Sequence, residues 1–193
     1  MTSVSLAKGG NVSLSKVAPN LTAVTVGLGW QVRQTYGADY DLDASAIVLN
    51  EAGRVINDQF FVFFNNLTSP DRAVHHLGDN LVGGGGGDDE QITVDLGTLT
   101  PQAAKVVFAV SIYDAEARRQ TFGQIRDAFI RVADSTTEAE IARYDLTEDA
   151  SSETAMIFGE LYRYNGEWKF RAVGQGYATG LRGIALDFGV NVS

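Results

Sequence analysis

The stretch Met156–Val173, MIFGELYRYNGEWKFRAV, contains two apolar and aromatic runs separated by Asn165-Gly166. Asn-Gly is the preferred pair of a two-residue β-hairpin turn, because both positions require a positive φ angle. The flanking runs, Met156–Tyr164 and Trp168–Val173, are rich in the aromatic and β-branched residues that favour strands. This stretch therefore predicts an antiparallel hairpin.

Similar short runs recur along the sequence. Seven of them are Leu21–Val32, Ser45–Leu49, Phe60–Phe64, Ile92–Leu96, Val106–Tyr113, Phe129–Ala133 and Ile141–Tyr144. Two more, Val4–Leu6 and Val12–Leu14, flank a Gly-Gly-Asn turn and predict an N-terminal hairpin. Helical spacing is clearest at Ala178–Phe188, and Thr121–Ala128 is a second candidate helix.

Turn signals separate these runs at intervals of about 8–12 residues. The pattern predicts an all-β fold, a β-sandwich of about ten short strands with two or three short helices in loops and near the C-terminus. Residues 1–193 are expected to form a single domain, since all-β folds of this length often do. Strands do not alternate with long helices, which argues against a doubly wound fold.

The chain carries 24 acidic and 15 basic residues, a net charge of −9. Between Asp39 and Glu90 there are ten acidic residues and only two basic residues, Arg54 and Arg72. Nucleic acid is therefore not expected as a partner, because phosphate binding needs clustered Lys and Arg. The acidic segment is either a solvated face or a cation site.

Composition also limits the cellular context. There is no Cys, so disulfides, thiolate zinc sites and iron–sulfur clusters are excluded, which fits the reducing cytosol. The opening MTSVSLAKGGN lacks the apolar core of a secretory signal, and no run of about 18 apolar residues is present. We expect a cytoplasmic protein that does not insert directly into a membrane.

The sequence ADYDLDAS places Asp39, Asp41 and Asp43 at alternate positions. The start matches an EF-hand loop, but position six is Ala44 and position twelve is Asn50, so this is not an EF-hand. In a straight strand the first and last Asp would lie about 13 Å apart, too far for one ion. Either the chain curls at Asp39, or two ions bind side by side.

A calcium ion takes about 6–8 oxygen ligands, so later loops must contribute to any such site. The candidates are Asn65, Asn66, Asp79, Asn80, Asp88, Asp89 and Glu90. Carboxylate, amide and carbonyl oxygens suit Ca²⁺ or Mg²⁺ better than softer metals. His75 and His76 are adjacent and would point to opposite faces of a strand, so we interpret them as surface residues.

Other features carry less information. Gly83–Gly87, next to the last acidic triplet, is either a plain flexible loop or a loop that wraps closely around a ligand. Gly174–Gly180 has the wrong spacing for a dinucleotide fingerprint and no surrounding βαβ unit. Two adjacent His residues give little support to a Ser-His-Asp triad.

The chain resembles the TerD family of tellurite- and stress-resistance proteins across nearly its whole length. The matching stretches are VSLAKGGNVSLSK, VGLGWQVR, GADYDLDASA, FFNNLTSPD, GDNL, GDDEQITVDL, FGQIRDAFIRV, TAMIFGELYR and GEWKFRAVGQGY. The resemblance implies a β-sandwich that binds calcium, usually two ions, through acidic loops. It implies a cytoplasmic role beside other tellurite-resistance proteins, some of them membrane-bound, and no established catalytic activity.

By motif, the resemblance implies calcium ligands in DLDAS, FNNL, GDN and GDDE, with Asp39 as an additional candidate. The implied residues are Asp41, Asp43, Asn65, Asn66, Asp79, Asn80, Asp88, Asp89 and Glu90.

Three hypotheses follow from the sequence. The leading one is a non-catalytic, calcium-binding stress-response module whose ions order the acidic loops and shape a partner-binding surface. The second is a small-ligand or partner-binding sandwich without metal, in which the acids only add solubility. The third is a metal-dependent hydrolase acting through the same acids, for which no nucleophile or general base stands out.

Overall fold

The computed structural model of the chain describes residues 2–32, 39–78, 87–146 and 152–192. The strands in these residues are β1 (Val4–Leu6), β2 (Asn11–Ser13), β3 (Ala23–Val32), β4 (Leu42–Leu49), β5 (Phe61–Val62), β6 (Val74–His76), β7 (Glu90–Asp95), β8 (Lys105–Ile112), β9 (Ile125–Asp134), β10 (Glu140–Asp145), β11 (Ala155–Tyr164) and β12 (Glu167–Tyr177). The helices are α1 (Leu14–Val17), α2 (Ala115–Arg118) and α3 (Gly180–Asp187).

The strands form two six-stranded sheets. The first has the order β1-β10-β9-β3-β7-β6 and the second has the order β2-β12-β11-β8-β4-β5. Alternate residues of both sheets, such as Val26 and Leu28 of β3 and Val106 and Phe108 of β8, pack into one buried core. The predicted β-sandwich is confirmed, and the short strands β1, β2, β5 and β6 lie at the sheet edges.

The hairpin that opened the sequence analysis is also confirmed. Strands β11 and β12 pair in antiparallel fashion, with Tyr164 opposite Glu167. Asn165 and Gly166 form the two-residue turn between them, with φ angles of 50° and 75°. Both angles are positive, as the mirror-image turns of tight hairpins require.

The predicted N-terminal hairpin is wrong. Strand β1 pairs in parallel with β10 of the first sheet, whereas β2 pairs with β12 of the second. The turn between them is held by Ala172 of β12, whose carbonyl accepts from Gly9 N and whose N–H donates to Gly10 O. The chain crosses here because β10 and β12 each have an open edge, and one crossing segment gives both edges a partner.

The predicted helix at Thr121–Ala128 is also wrong. A single 3₁₀ turn spans Phe122–Gln124, and β9 begins at Ile125. By contrast, the predicted C-terminal helix exists as α3, which covers the outer face of the second sheet. Ile184 and Ala185 are buried there. None of the helices in the described ranges has the length and apolar content needed to cross a bilayer.

Helix α3 is tied to β12 by a hydrogen bond from the Tyr177 hydroxyl to Asp187. Burial, and then this hydrogen bond, raise the pKa of Tyr177 from its ordinary 10.0 to about 12. A raised folded-state pKa favours the neutral phenol, so this contribution to stability is complete below pH 10 and is lost as the pH rises through 12.

We therefore expect the difference between the tyrosinate absorbance titrations of the wild type and of Tyr177→Phe to show a single step near pH 12. Asp187→Ala should move that step down, while burial keeps it above 10.0. Tyr164, which is 56% exposed, provides the control in the matching Tyr164→Phe difference. A Tyr177 step at 10.0 in the wild type would contradict the expectation.

Candidate metal centre

Two acidic segments of the chain, Asp39–Asp43 and Asp88–Glu90, meet where the two sheets approach each other. The Glu90 Oε2 atom of β7 accepts a hydrogen bond of 2.5 Å from the Ala44 N–H of β4. Strand β5 ends at Val62, opposite Ala46, so the Ala44 N–H lies beyond the paired part of that edge. A carboxylate of one sheet therefore satisfies the backbone of the other.

The Asp39–Asp43 segment approaches this junction from the start of β4. The strand begins at Leu42, so Asp39 and Asp41 precede it. Asp43 is only 5% exposed and lies opposite Ser111, on the sheet face turned away from the core. Asp41 is half-buried, and its carbonyl accepts from Tyr113 N at 2.7 Å.

Asp39 itself is exposed, but its backbone is held in place. Its carbonyl accepts from Arg118 Nη1 at 3.2 Å and from Gln120 Nε2 at 3.3 Å. The α2 region therefore fixes the entry of this segment into β4, and the first of the three alternating Asp residues lies outside the strand.

Asp89 and Glu90 are buried next to the junction, with exposures of 7% and 3%. The Asp89 Oδ2 atom accepts from Trp30 N at 2.8 Å, and its own N–H donates to Leu28 O at the same distance. Asp89 thus extends the pairing of β3 and β7 with a side chain. Asp43, Asp89 and Glu90 are thus all buried, with Asp43 on the outer face of the second sheet, Asp89 at Trp30 of β3 and Glu90 at Ala44 of β4.

Asp88 has a different environment. Its carboxylate oxygens accept from Nε and Nη2 of Arg131, both at 2.6 Å, and Gln91 Nε2 donates to Oδ2 at 2.8 Å. The hydrogen bond to Asp88 is the main reason that the pKa of Arg131 is raised. Asp88 therefore anchors the end of the glycine-rich segment to β9, and a metal would have to compete with Arg131 for its oxygens.

Gly27 makes room for this ion pair. A Cβ atom at Gly27 would overlap the Asp88 carboxylate. We expect Gly27→Ala to lower the free energy of unfolding by about 1–3 kcal/mol, as overpacking does. Urea denaturation of Gly27→Ala and Gly87→Ala measures the effect, because a Cβ at Gly87 meets no described atom within 4 Å. Equal stability of the two variants would contradict the expectation.

The Asn65-Asn66 turn follows β5 and runs toward the Asp43 end of β4. Phe61 lies opposite Ile47 and Val62 opposite Ala46, so continuing this antiparallel register leads toward Asp43. Asn66 holds the turn, because its Nδ2 donates to the carbonyls of Gln59 at 2.9 Å and Phe61 at 2.8 Å. Asn65 is exposed. The other predicted pair, Asp79 and Asn80, lies outside the described residues.

The interpretation of His76 as a surface residue is wrong. Its side chain is 1% exposed, and Nε2 lies 3.4 Å from Glu90 Oε2. The sequence pattern does not predict the short strand β6, in which the His76 side chain faces inward with Val74. The two His side chains do point to opposite faces of the strand, as predicted. His75 is less buried than His76, and its Nδ1 atom lies 3.2 Å from Thr68 Oγ1.

The donor chemistry of this junction fits a hard divalent cation such as Ca²⁺. Within residues 2–32, 39–78, 87–146 and 152–192, however, no three His, Asp or Glu side chains are grouped so as to hold a metal ion. The described carboxylates would thus need further oxygen donors, or a closer approach, to complete a coordination shell.

Comparison with known proteins gives consistent matches over the full length. The TerD domain matches residues 1–188. The chain is 59% identical to the tellurium resistance protein TerD of Serratia marcescens over 191 residues, 99% of this chain and 100% of the relative. It is 49% identical to general stress protein 16U of Bacillus subtilis over 190 residues, 98% of each chain.

A solved structure has the same fold. It is the crystal structure of a homologue of telluride resistance protein (TerD) from Streptomyces coelicolor, which superimposes with a TM-score of 0.70 at 25% identity. The match covers 86% of this chain and 96% of that one.

Proposed function

This chain belongs to the TerD family of tellurium-resistance and stress-response proteins, and from that premise we propose that it is a non-catalytic calcium-binding protein. The proposed ions bind where the Asp39–Asp43 segment meets Asp89 and Glu90. Ion binding orders the acidic loops, and the ordered loops present a surface to a partner.

One observation carries the proposal, the hydrogen bond between Glu90 Oε2 and Ala44 N. It brings together two acidic segments that are 46 residues apart in sequence and lie in different sheets. Buried carboxylates of like charge raise each other's energy, and an ion between them lowers it. A divalent cation gives a physical reason for this concentration of acids at one end of the fold.

The candidate ligands divide into groups by their surroundings. Asp43, Asp89 and Glu90 supply buried carboxylates, and Asp41 precedes them at the start of β4. Asp39, Asn65, Asn66 and the Asp79-Asn80 pair remain proposed ligands that would complete the six to eight oxygens typical of Ca²⁺. Asp88 is the weakest candidate, because Arg131 and Gln91 already bind its oxygens.

Calorimetric titration of metal-free protein with Ca²⁺ tests the proposal. We expect saturable binding with a stoichiometry of about two, the number usual in the family, and no binding by the double variant Asp41→Ala, Asp43→Ala. The matched control is Glu51→Lys, which changes the net charge by the same amount at an exposed turn beyond the far end of β4. Loss of binding in this control as well would point to general electrostatics.

Catalysis is the weaker alternative. Among the described residues, no three His, Asp or Glu side chains are grouped, and the His76–Glu90 pair is almost fully buried. A turnover screen on phosphoesters and glycosides with and without Ca²⁺ separates the two functions. Metal-dependent turnover that is lost in Asp41→Ala, Asp43→Ala would favour the hydrolase.

We also propose that the protein acts in the cytoplasm beside other tellurite-resistance proteins, membrane-associated ones among them. Direct capture of tellurium is not part of this proposal. The chain has no Cys and two Met, whereas a soft element is expected to need several sulfur ligands.

A further inference from the structure

His76 joins four segments of the chain at the proposed ion site. Its Nδ1 atom accepts a hydrogen bond from Gly78 N at 3.1 Å, and its Nε2 atom lies 3.4 Å from Glu90 Oε2. The same Glu90 oxygen accepts from Ala44 N. The series Gly78, His76, Glu90 and Ala44 therefore connects the residues after β6 to β7 and to β4.

The hydrogen bond from Gly78 determines the tautomer of the ring. A backbone N–H can only donate, so Nδ1 must carry the lone pair, and the neutral imidazole then bears its proton on Nε2. Nε2 lies 3.4 Å from Glu90 Oε2 without meeting the geometry of a hydrogen bond, and the two side chains are 1% and 0% exposed. The protonated nitrogen of His76 is therefore buried beside the Glu90 carboxylate, at a place where water has little access.

The same tautomer excludes His76 as a metal ligand. One ring nitrogen is a hydrogen-bond acceptor for Gly78, and the other, 3.4 Å from Glu90 Oε2, carries the proton. Ligation would require loss of the Gly78 hydrogen bond or formation of an imidazolate. The ring is thus placed to act on the carboxylate and not on the ion.

We propose that His76 is a positioning residue that holds Glu90 in the orientation needed for cation binding; this inference rests on the function proposed above. The Ala44 N–H donates to Glu90 Oε2, and the His76 ring lies with Nε2 3.4 Å from the same oxygen, so the two contacts together limit the rotation of the carboxylate. Partners that orient a ligating carboxylate typically contribute about 10–100-fold to metal affinity. His76 also links the Gly78 backbone to this carboxylate.

The test compares the Ca²⁺ dissociation constants of three variants by calorimetry. His76→Phe keeps a ring but removes the donor, and we expect about tenfold weaker binding. His76→Gln can place an amide N–H near the position of Nε2, so we expect affinity within about threefold of wild type. His75→Phe is the control on the opposite face of β6 and should leave binding unchanged.

A second measurement determines the tautomer of the His76 ring directly. Long-range ¹H–¹⁵N NMR spectra of metal-free wild type should show the Nε2-protonated tautomer for His76, assigned by its absence in His76→Gln. The Nδ1-protonated tautomer would overturn the inference, and the tautomer is read on the wild-type protein itself.

The binding results are equally decisive. A folded His76→Phe with wild-type affinity would overturn the role of His76, as would equal losses in His76→Phe and His76→Gln. Wild-type protein that releases no heat with Ca²⁺ would instead overturn the proposed function, and the two failures are therefore distinguishable.

Discussion

Adding Ca²⁺ at about 100 times its dissociation constant is expected to raise the melting temperature of the wild-type chain by about 5–10 °C for each ion bound. Binding of one ion to the native state alone at that concentration contributes about 2.7 kcal/mol. For a domain of about 150–250 residues, each kcal/mol corresponds to about 2–4 °C. Differential scanning calorimetry with and without EDTA measures the shift.

The double substitution Asp41→Ala, Asp43→Ala is expected to abolish this shift. It removes two carboxylates of the acidic segment, one half-buried and one buried, from the start of β4. Glu51→Lys, which makes the same change in net charge at an exposed site, should retain the full shift. An unchanged wild-type melting temperature in Ca²⁺ would instead favour a sandwich that binds a partner without metal.

Arg131→Met is expected to lower the free energy of unfolding by about 3 kcal/mol. The substitution leaves the Asp88 carboxylate, whose side chain is 2% exposed, without its cation. Urea denaturation gives the loss.

Adding Asp88→Asn to Arg131→Met should recover part of the lost stability, since the neutral amide removes the buried charge and can still accept from Gln91. Arg143→Met is the matched control on the neighbouring strand, because its partner Asp145 is 53% exposed. Such exposed pairs contribute about 1 kcal/mol or less. Equal losses in Arg131→Met and Arg143→Met would show that burial of Asp88 is not the cause.

Elements whose local signals are strong were predicted from sequence. The β11–β12 hairpin was predicted because Asn165-Gly166 imposes its own turn geometry on whatever strands flank it. Helix α3 was predicted because its apolar spacing matches one buried face. In both cases the determining interactions lie within a few residues along the chain.

Long-range partners were not predicted. Val4–Leu6 and Val12–Leu14 look like two arms of one hairpin, but each pairs with the edge of a different sheet. The apparent helix at Thr121–Ala128 became the start of β9, since pairing with β3 outweighs a weak local preference. A local sequence pattern does not show which strands of the two sheets have an unpaired edge.

The candidate site divides in the same way. The sequence alone determined that hard oxygen donors are concentrated between Asp39 and Glu90 with few cations beside them, because charge and donor type are properties of the residues themselves. Only the tertiary structure decided that Asp88 pairs with Arg131, that Asp89 accepts from Trp30 of β3 and that Glu90 meets His76 and Ala44. Those roles depend on strands that are distant in the chain but adjacent in space, because a hydrogen bond forms only between atoms that lie close together.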